Sequence, residues 1–403
     1  MGYKIRTRVL APPSAFSVWR VKVLSGQKYE ENIQCFRHPA TNRSRTPKQE
    51  DDDEEEEHDQ RPYILQLSDP IILEIFCKIP TKTLIQCKRV CKSWRCCLSD
   101  PEFTRELFSR TPACLLVTGF RWQWGHFLVN LDGTWNPNVV ALKLSSEISP
   151  RPTMVGSCNG FLCHYSRHHL HIFNPVTGEL LPLPTPSELG TLGDCYGFGF
   201  GPVSRVYKVV RIVPKQVMVL TVGSGIWRNI GHPAYSFSSI TPCHGIYHNG
   251  FLHWIGRTCG DSSRHLVCAF HVETEQFQEL PLPPPSYDLD KTYFKLGVLN
   301  GWLSVILNLN GDISVWVMKD YKMKESWTKE HEFKDPVGSF GTSILKFTKE
   351  GQVLGLNYDD HSMQAYTLAR TGLVRVEVDG LPLMISEAWD LVLSFVSLKD
   401  RSP

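Results

Sequence analysis

The spacing of apolar residues along the chain changes period near residue 112. Upstream, Ile71, Ile72, Ile75, Phe76 and Ile79 recur every three or four positions, the pattern of one buried helix face. Asp69 suits the cap of that helix, Pro70 its first position, where a missing N–H costs nothing, and Pro80 ends it. A second helical stretch is predicted from near Thr81 or Thr83 to about Leu98, with a break before Lys92.

Downstream, short β-branched and aromatic runs alternate with Gly, Asn and Pro turns. "CNGFLC" (158–163), "HNGFLHWI" (248–255) and "LNGWLSVI" (299–306) each place Asn-Gly between two apolar runs. That is a strong hairpin signal, because both central residues of a type I′ turn need positive φ. A fourth turn, Glu350-Gly351, follows the third, and the long gap between the first two divides at the turn in "GFGFGPVSRVYKVVRI" (197–212). A repeat of about 45–50 residues with several strands in each is what a β-propeller blade requires. Counting an irregular first unit around 115–135, the prediction is about six blades, with "LVLSFVSL" (391–398) closing the ring on the first. The fold class is therefore α+β and multidomain: a small all-α module, then an all-β propeller-like domain.

Charge changes the picture only at the start of the chain. Residues 1–49 set Lys and Arg against only Glu30 and Glu31, and "EDDDEEEEHD" (50–59) then reverses the sign. Like charges repel and bury nothing, so 1–61 is expected to be a disordered leader with an acidic linker, in preference to a mitochondrial or nuclear address. The helical module then spans 62–108 and the strand-rich domain 109–400. The net charge of +2 gives no global field for nucleic acid or membrane. No apolar run reaches the roughly 18–20 residues of a membrane span, and Pro12-Pro13 interrupt the one stretch resembling a secretory signal. Position 6 is Arg, so the initial Met-Gly is not a myristoylation site. Thirteen irregularly spaced cysteines read as free thiols of a reducing compartment, cytoplasmic or nuclear.

The richest candidate for chemistry is "VCKSWRCCLSDPEF" (90–103). On one helix at 100° per residue, Cys87 and Cys91 lie about 40° apart, whereas Cys96 falls on the opposite face. Four thiols so placed do not converge on a metal, and no C-x-x-C knuckle is present. Leu84, Cys87, Val90, Cys91, Trp94 and Leu98 instead share an arc of about 120°, an apolar stripe in which cysteine acts as a small hydrophobe. His169 and His171 share a strand face but lack an acidic or thiol companion, so solvated hairpin histidines are expected. "YDDH" (358–361) is ordinary turn chemistry, and "GFGFG" (197–201) opens no helix, so it is not a dinucleotide loop. No G-x-S-x-G elbow or carboxylate pair can be nominated, and neither a catalytic residue nor a cofactor is expected.

"LSDPIILEIFCKIPTKTLIQCKRVCKSWRCCLSDPEF" (67–103) closely resembles an F-box, with Leu67 leading the first helix, Pro80 after "ILEIFCKI" and Trp94 within "VCKSWR"; Ser68 stands where that family usually has proline. The remainder resembles the F-box-associated domain of the large plant F-box family. "GSCNGFLCHY…HHLHIFNPVTGELLPLP" (156–184), "YGFGFGPVSRVYKVVRI" (196–212) and "ISVWVMKDYKMKESWTKEHEF" (313–333) match its signatures. The acidic pair usual near Ser204-Arg205 is missing, which reads as a drifted surface loop.

The resemblance implies a substrate receptor of an SCF-type ubiquitin ligase that performs no chemistry itself. Its F-box would dock a Skp1-type adaptor, and through it cullin and RING subunits, while the propeller holds a protein substrate. By the same analogy Leu67, Ile71, Ile75, Pro80, Val90 and Trp94 are the adaptor-contact candidates, some of them shared with the helical core. Two rivals are a non-degradative scaffold bound to the same adaptor, and an enzyme or carbohydrate binder built on the propeller.

Overall fold

The computed structural model divides into two units, Met1–Gln60 and Arg61–Pro403, and the described residues all lie in the second. The described residues are 67–79, 81–110, 114–119, 125–130, 138–142, 153–166, 169–186, 194–214, 216–233, 235–237, 243–258, 261–284, 292–334, 342–347, 352–357, 362–367, 373–375, 381–382 and 384–397. The expected leader, Pro80, Glu350-Gly351 and "YDDH" lie outside them.

Four helices come first: α1 (Asp69–Cys77), α2 (Thr81–Cys87), α3 (Lys92–Cys97) and α4 (Pro101–Arg110). The cap of α1 is Ser68 rather than Asp69, because the Ser68 carbonyl already accepts from Ile71 N (3.0 Å) and Ile72 N (3.1 Å). Pro70 therefore sits within the first turn, where no N–H is missed. The predicted break before Lys92 is present. Cys91 is extended, and its Sγ accepts from Trp94 N at 3.4 Å, so the thiol caps α3. This break also undoes the single apolar stripe: Leu84, Cys87 and Leu98 are buried, but Val90 swings out to 63% exposure.

Strands follow as antiparallel meanders. The first sheet holds β1 (Cys114–Gly119), β2 (His126–Asn130) and β3 (Asn138–Leu142); the next, β4 (Thr153–Cys158), β5 (Phe161–Ser166), β6 (His169–Phe173) and β7 (Leu180–Leu183). Then come β8 (Cys195–Gly201), β9 (Val206–Val213), β10 (Gln216–Thr221) and β11 (Trp227–Asn229). A short β12 (Tyr235–Phe237) precedes β13 (Cys243–His248), β14 (Phe251–Thr258), β15 (Asp261–His271) and β16 (Gln276–Leu280). Two further sheets are β17 (Thr292–Leu299), β18 (Trp302–Leu309), β19 (Asp312–Met318), β20 (Trp327–Lys334), and β21 (Thr342–Phe347), β22 (Gln352–Asn357), β23 (Ser362–Thr367), β24 (Leu373–Arg375).

The last strand, β25 (Ile385–Leu391), pairs antiparallel with β1 from Cys114↔Leu391 to Gly119↔Ile385. Closure by a late strand was expected, but from 391–398. Residues 392–397 form no strand, because Asn174 takes the carbonyls of Ser394 and Val396 that a ladder would have used. Strands β8 and β13 run parallel and join their two meanders into one nine-stranded sheet. Their close approach needs glycine: a Cβ on Gly197 would sit 2.7 Å from the Trp254 ring, whose Nε1 donates to Tyr196 O.

Antiparallel order fixes two faces. The turns between first and second strands (159–160, 202–205, 249–250, 300–301) lie on the same side as those between third and fourth strands (174–179, 222–226, 272–275, 319–326). Strand β1 begins and β25 ends on that side, so α1–α4 enter there. One buried cluster runs through the entry: Phe76, Leu84 and Leu98 from the helices, Met154 and Phe173 from the second meander, Leu391, Leu393 and Phe395 from the end. Burying each of those last three contributes about 2 kcal/mol as an upper figure.

Candidate functional site

The helical module is built around Phe76, which is fully buried. Trp94 meets its ring edge-on at 5.1 Å and 89°, and Phe103 does so at 6.1 Å. Asp100 starts α4 by accepting from Phe103 N at 2.7 Å, and Arg110 at its end reaches Glu74 of α1 (2.6 Å) as well as Glu106. Both carboxylates are solvent-facing, so the pairing orients the helices and adds little stability.

The six adaptor candidates part company here. Leu67, Ile75 and Trp94 are half-buried against the shared cluster. Ile71, in α1, and Val90, between α2 and α3, are 49% and 63% exposed, large apolar side chains left open to water. Exposed Arg89, Lys92 and Arg95 flank Val90 with positive charge. Cys96 is exposed, Cys87 is buried, and burial raises the pKa of the Cys87 and Cys97 thiols. Among the described residues no group of His, Cys, Asp or Glu has a metal-holding arrangement, and no helix is long and apolar enough to cross a membrane.

The strand domain overturns the expectation of solvated histidines. His171 and its cross-strand partner His164 are 7% and 3% exposed, stacked with ring centroids 5.3 Å apart, whereas His169 faces water. Burial first, then the neighbouring His171 and His126, lowers the His164 pKa to about 3. His126, whose Nδ1 meets Thr118 Oγ1 at 3.1 Å, is lowered by burial to about 4. The turn at Ser204 is no idle loop either. Glu273 of the next meander accepts from Val203 N and Ser204 N, while Lys208 and Arg228 both reach Glu275.

First strands of separate meanders meet at the centre. His244 of β13 and Trp389 of β25 lie 5.5 Å apart, and Trp389 Nε1 donates to Glu387 at 3.2 Å. Burial lifts the Glu387 carboxyl to about 7, against the opposing pull of Trp389, Lys295 and the Met154 N–H. Sequence reading missed this cluster because Glu387, His244 and Lys295 share no motif or spacing; only ring closure collects them.

Comparison with known proteins agrees with this architecture. The F-box domain model matches residues 64–106 and the F-box associated beta propeller domain model residues 127–383. F-box protein At3g07870 of Arabidopsis thaliana is 29% identical over 327 residues, covering 70% of this chain and 75% of its own. F-box protein CPR1 of the same plant is 28% identical over 376 residues, covering 81% and 88%. Its F-box/kelch-repeat protein At3g23880 is 26% identical over 281 residues, covering 64% and 76%. With the helical module at the start, the meanders behind it and both models matched in that order, the chain belongs to the F-box proteins that carry an F-box-associated β-propeller domain.

Proposed function

We propose that this protein is the substrate-recognition subunit of an SCF-type ubiquitin ligase, acting in the cytoplasm or nucleus. Its F-box docks a Skp1-type adaptor, which links it to cullin and RING subunits, and its propeller holds a protein substrate. The observation that carries the reading is the exposure of Ile71 and Val90 on a module whose other described large apolar residues are buried or half-buried. Two open β-branched side chains beside Arg89, Lys92 and Arg95 fit a partner with an apolar groove and an acidic rim. The helices occupy one face of the propeller, which leaves the connections on the opposite face for substrate. Such a receptor does no bond chemistry; it raises the effective concentration of substrate lysines near the charged enzyme.

The test is adaptor capture by the full-length chain carrying Ile71→Asp with Val90→Asp. Capture is expected to be lost while the thermal midpoint stays close to wild type, because both positions face water. Undiminished capture would overturn the reading. If the adaptor binds but a reconstituted ligase never modifies any captured partner, the non-degradative scaffold takes its place.

A further inference from the structure

Residues 392–397 leave β25 and run between two parts of the molecule remote in sequence. On one side stands the second meander. Asn174, in the turn after β6, donates through Nδ2 to Ser394 O at 3.0 Å and Val396 O at 2.9 Å. Its Oδ1 accepts from Val176 N (2.9 Å) and Thr177 N (3.3 Å), so partners on both sides fix which way the amide points. Ser397 Oγ donates to Glu179 at 2.7 Å. Gly160 lies so close that a Cβ there would collide with Ser394 and stand 2.8 Å from Val392 O. On the other side stands the F-box. Lys88, between α2 and α3, donates Nζ to Phe395 O at 3.3 Å and sits 5.1 Å from the centre of that ring. Leu393 and Phe395 belong to the buried cluster that also holds Phe76, Leu84 and Leu98.

We propose that residues 392–397 are a strap that locks the F-box onto the propeller and sets its orientation, with Asn174 and Lys88 as the positioning residues on its two sides. The physical reason is geometric. A single chain crossing, here residues 111–113 between α4 and β1, limits how far two bodies separate but not the angle between them. A second attachment away from the first removes that freedom. The strap supplies it, because Lys88 precedes the crossing by more than twenty residues and lies on a different turn from Arg110. The strap itself stands on these contacts alone; only its value to a ligase rests on the receptor reading.

Asn174→Asp tests it sharply. The aspartate keeps acceptors for Val176 and Thr177 but sets a carboxylate oxygen against the Ser394 and Val396 carbonyls. Lys88→Met removes the other anchor and keeps the stem. Amide hydrogen exchange of the full-length protein is the readout. In both variants α1–α4 and 392–397 are expected to exchange faster, by about tenfold or more in Asn174→Asp, while β14, β18 and β19 keep wild-type protection. Unchanged exchange of α1–α4 in both variants would overturn the proposal, as would an equal acceleration in every meander. Should Asn174→Asp fail to fold, Lys88→Met decides on the same outcomes. Adaptor capture is not read here, so the strap and the receptor reading fail separately.

Discussion

Glu387 holds its proton to about pH 7 in the folded chain but to only about 4.5 when unfolded, so it contributes stability below pH 4.5 that is lost as pH rises to 7. Four histidines work the other way. Burial lowers His126, His244 and His253 to about 4 and His164 to about 3, from 6.5, so their contribution is present above pH 6.5 and lost as pH falls. Four groups outweigh one. Near pH 5.5 these five groups together bind about three protons more in the unfolded chain than in the folded one, and their joint contribution to stability should fall by roughly 4 kcal/mol per pH unit on acidification. Glu387→Gln should steepen that fall and stabilise the protein by up to about 3 kcal/mol at pH 8. Thermal midpoints from pH 5 to 8 check both; a flat profile, or a variant that parallels wild type, would refute the assignment. None of this was legible in the sequence, since His164 and Glu387 acquire their character from strands that pairing brings together. What was legible at this scale was that Cys87 belongs to the core; Cys91, expected on the same apolar stripe, instead caps a helix.

Elements were easier to read where local chemistry decides them. Asn159-Gly160, Asn249-Gly250 and Asn300-Gly301 all adopt the predicted positive φ, from 49° to 84°. Their surroundings differ, and that gives a paired test. Gly301 has nothing within 4 Å, so Gly301→Ala should cost about 1–2 kcal/mol of backbone strain alone. Gly160→Ala carries the same strain plus the collision with Ser394, and should cost at least about 1 kcal/mol more. Urea denaturation of the two variants measures the gap; equal losses would mean that the tail does not press on that turn. Elements that need a distant partner were read less well. "LVLSFVSL" has strand-like residues, but β25 ends at its first one, because the choice among pairing, Asn174 and the F-box cluster is not encoded locally. A repeated device also went unnoticed: Trp227 and Trp327, opening β11 and β20, each donate Nε1 to the carbonyl of a proline closing the preceding meander, Pro184 at 2.9 Å and Pro281 at 3.0 Å.

At the scale of the molecule, the sequence showed two modules with a change of period between them but not that they share a core. The surplus apolar surface of the helices pointed outward to some partner. Part of that partner is the chain's own end, 307 positions from Lys88 in the case of Phe395, and no local pattern spans such a gap. Ending the chain at residue 384 should therefore leave β1 with an unpaired edge and the F-box cluster without Leu391, Leu393 and Phe395. Limited proteolysis should cut α1–α4 at once, and light scattering should report association through the open edge. A monomeric truncated chain with protected helices would contradict the shared core. The same arrangement governs the chain as it is made. Thr118 leaves the ribosome 268 residues before Ser386, whose hydroxyl donates to its carbonyl. At 5–20 residues per second that interval is roughly 13–54 s, during which β1 lacks its β25 partner and the F-box cluster lacks Leu391, Leu393 and Phe395. A nonsense or stalled product that stops before residue 385 lacks β25, so its first sheet keeps an open edge at β1. If residues 392–397 act as the strap proposed above, copies that stop short of them carry the helical module on its single crossing alone.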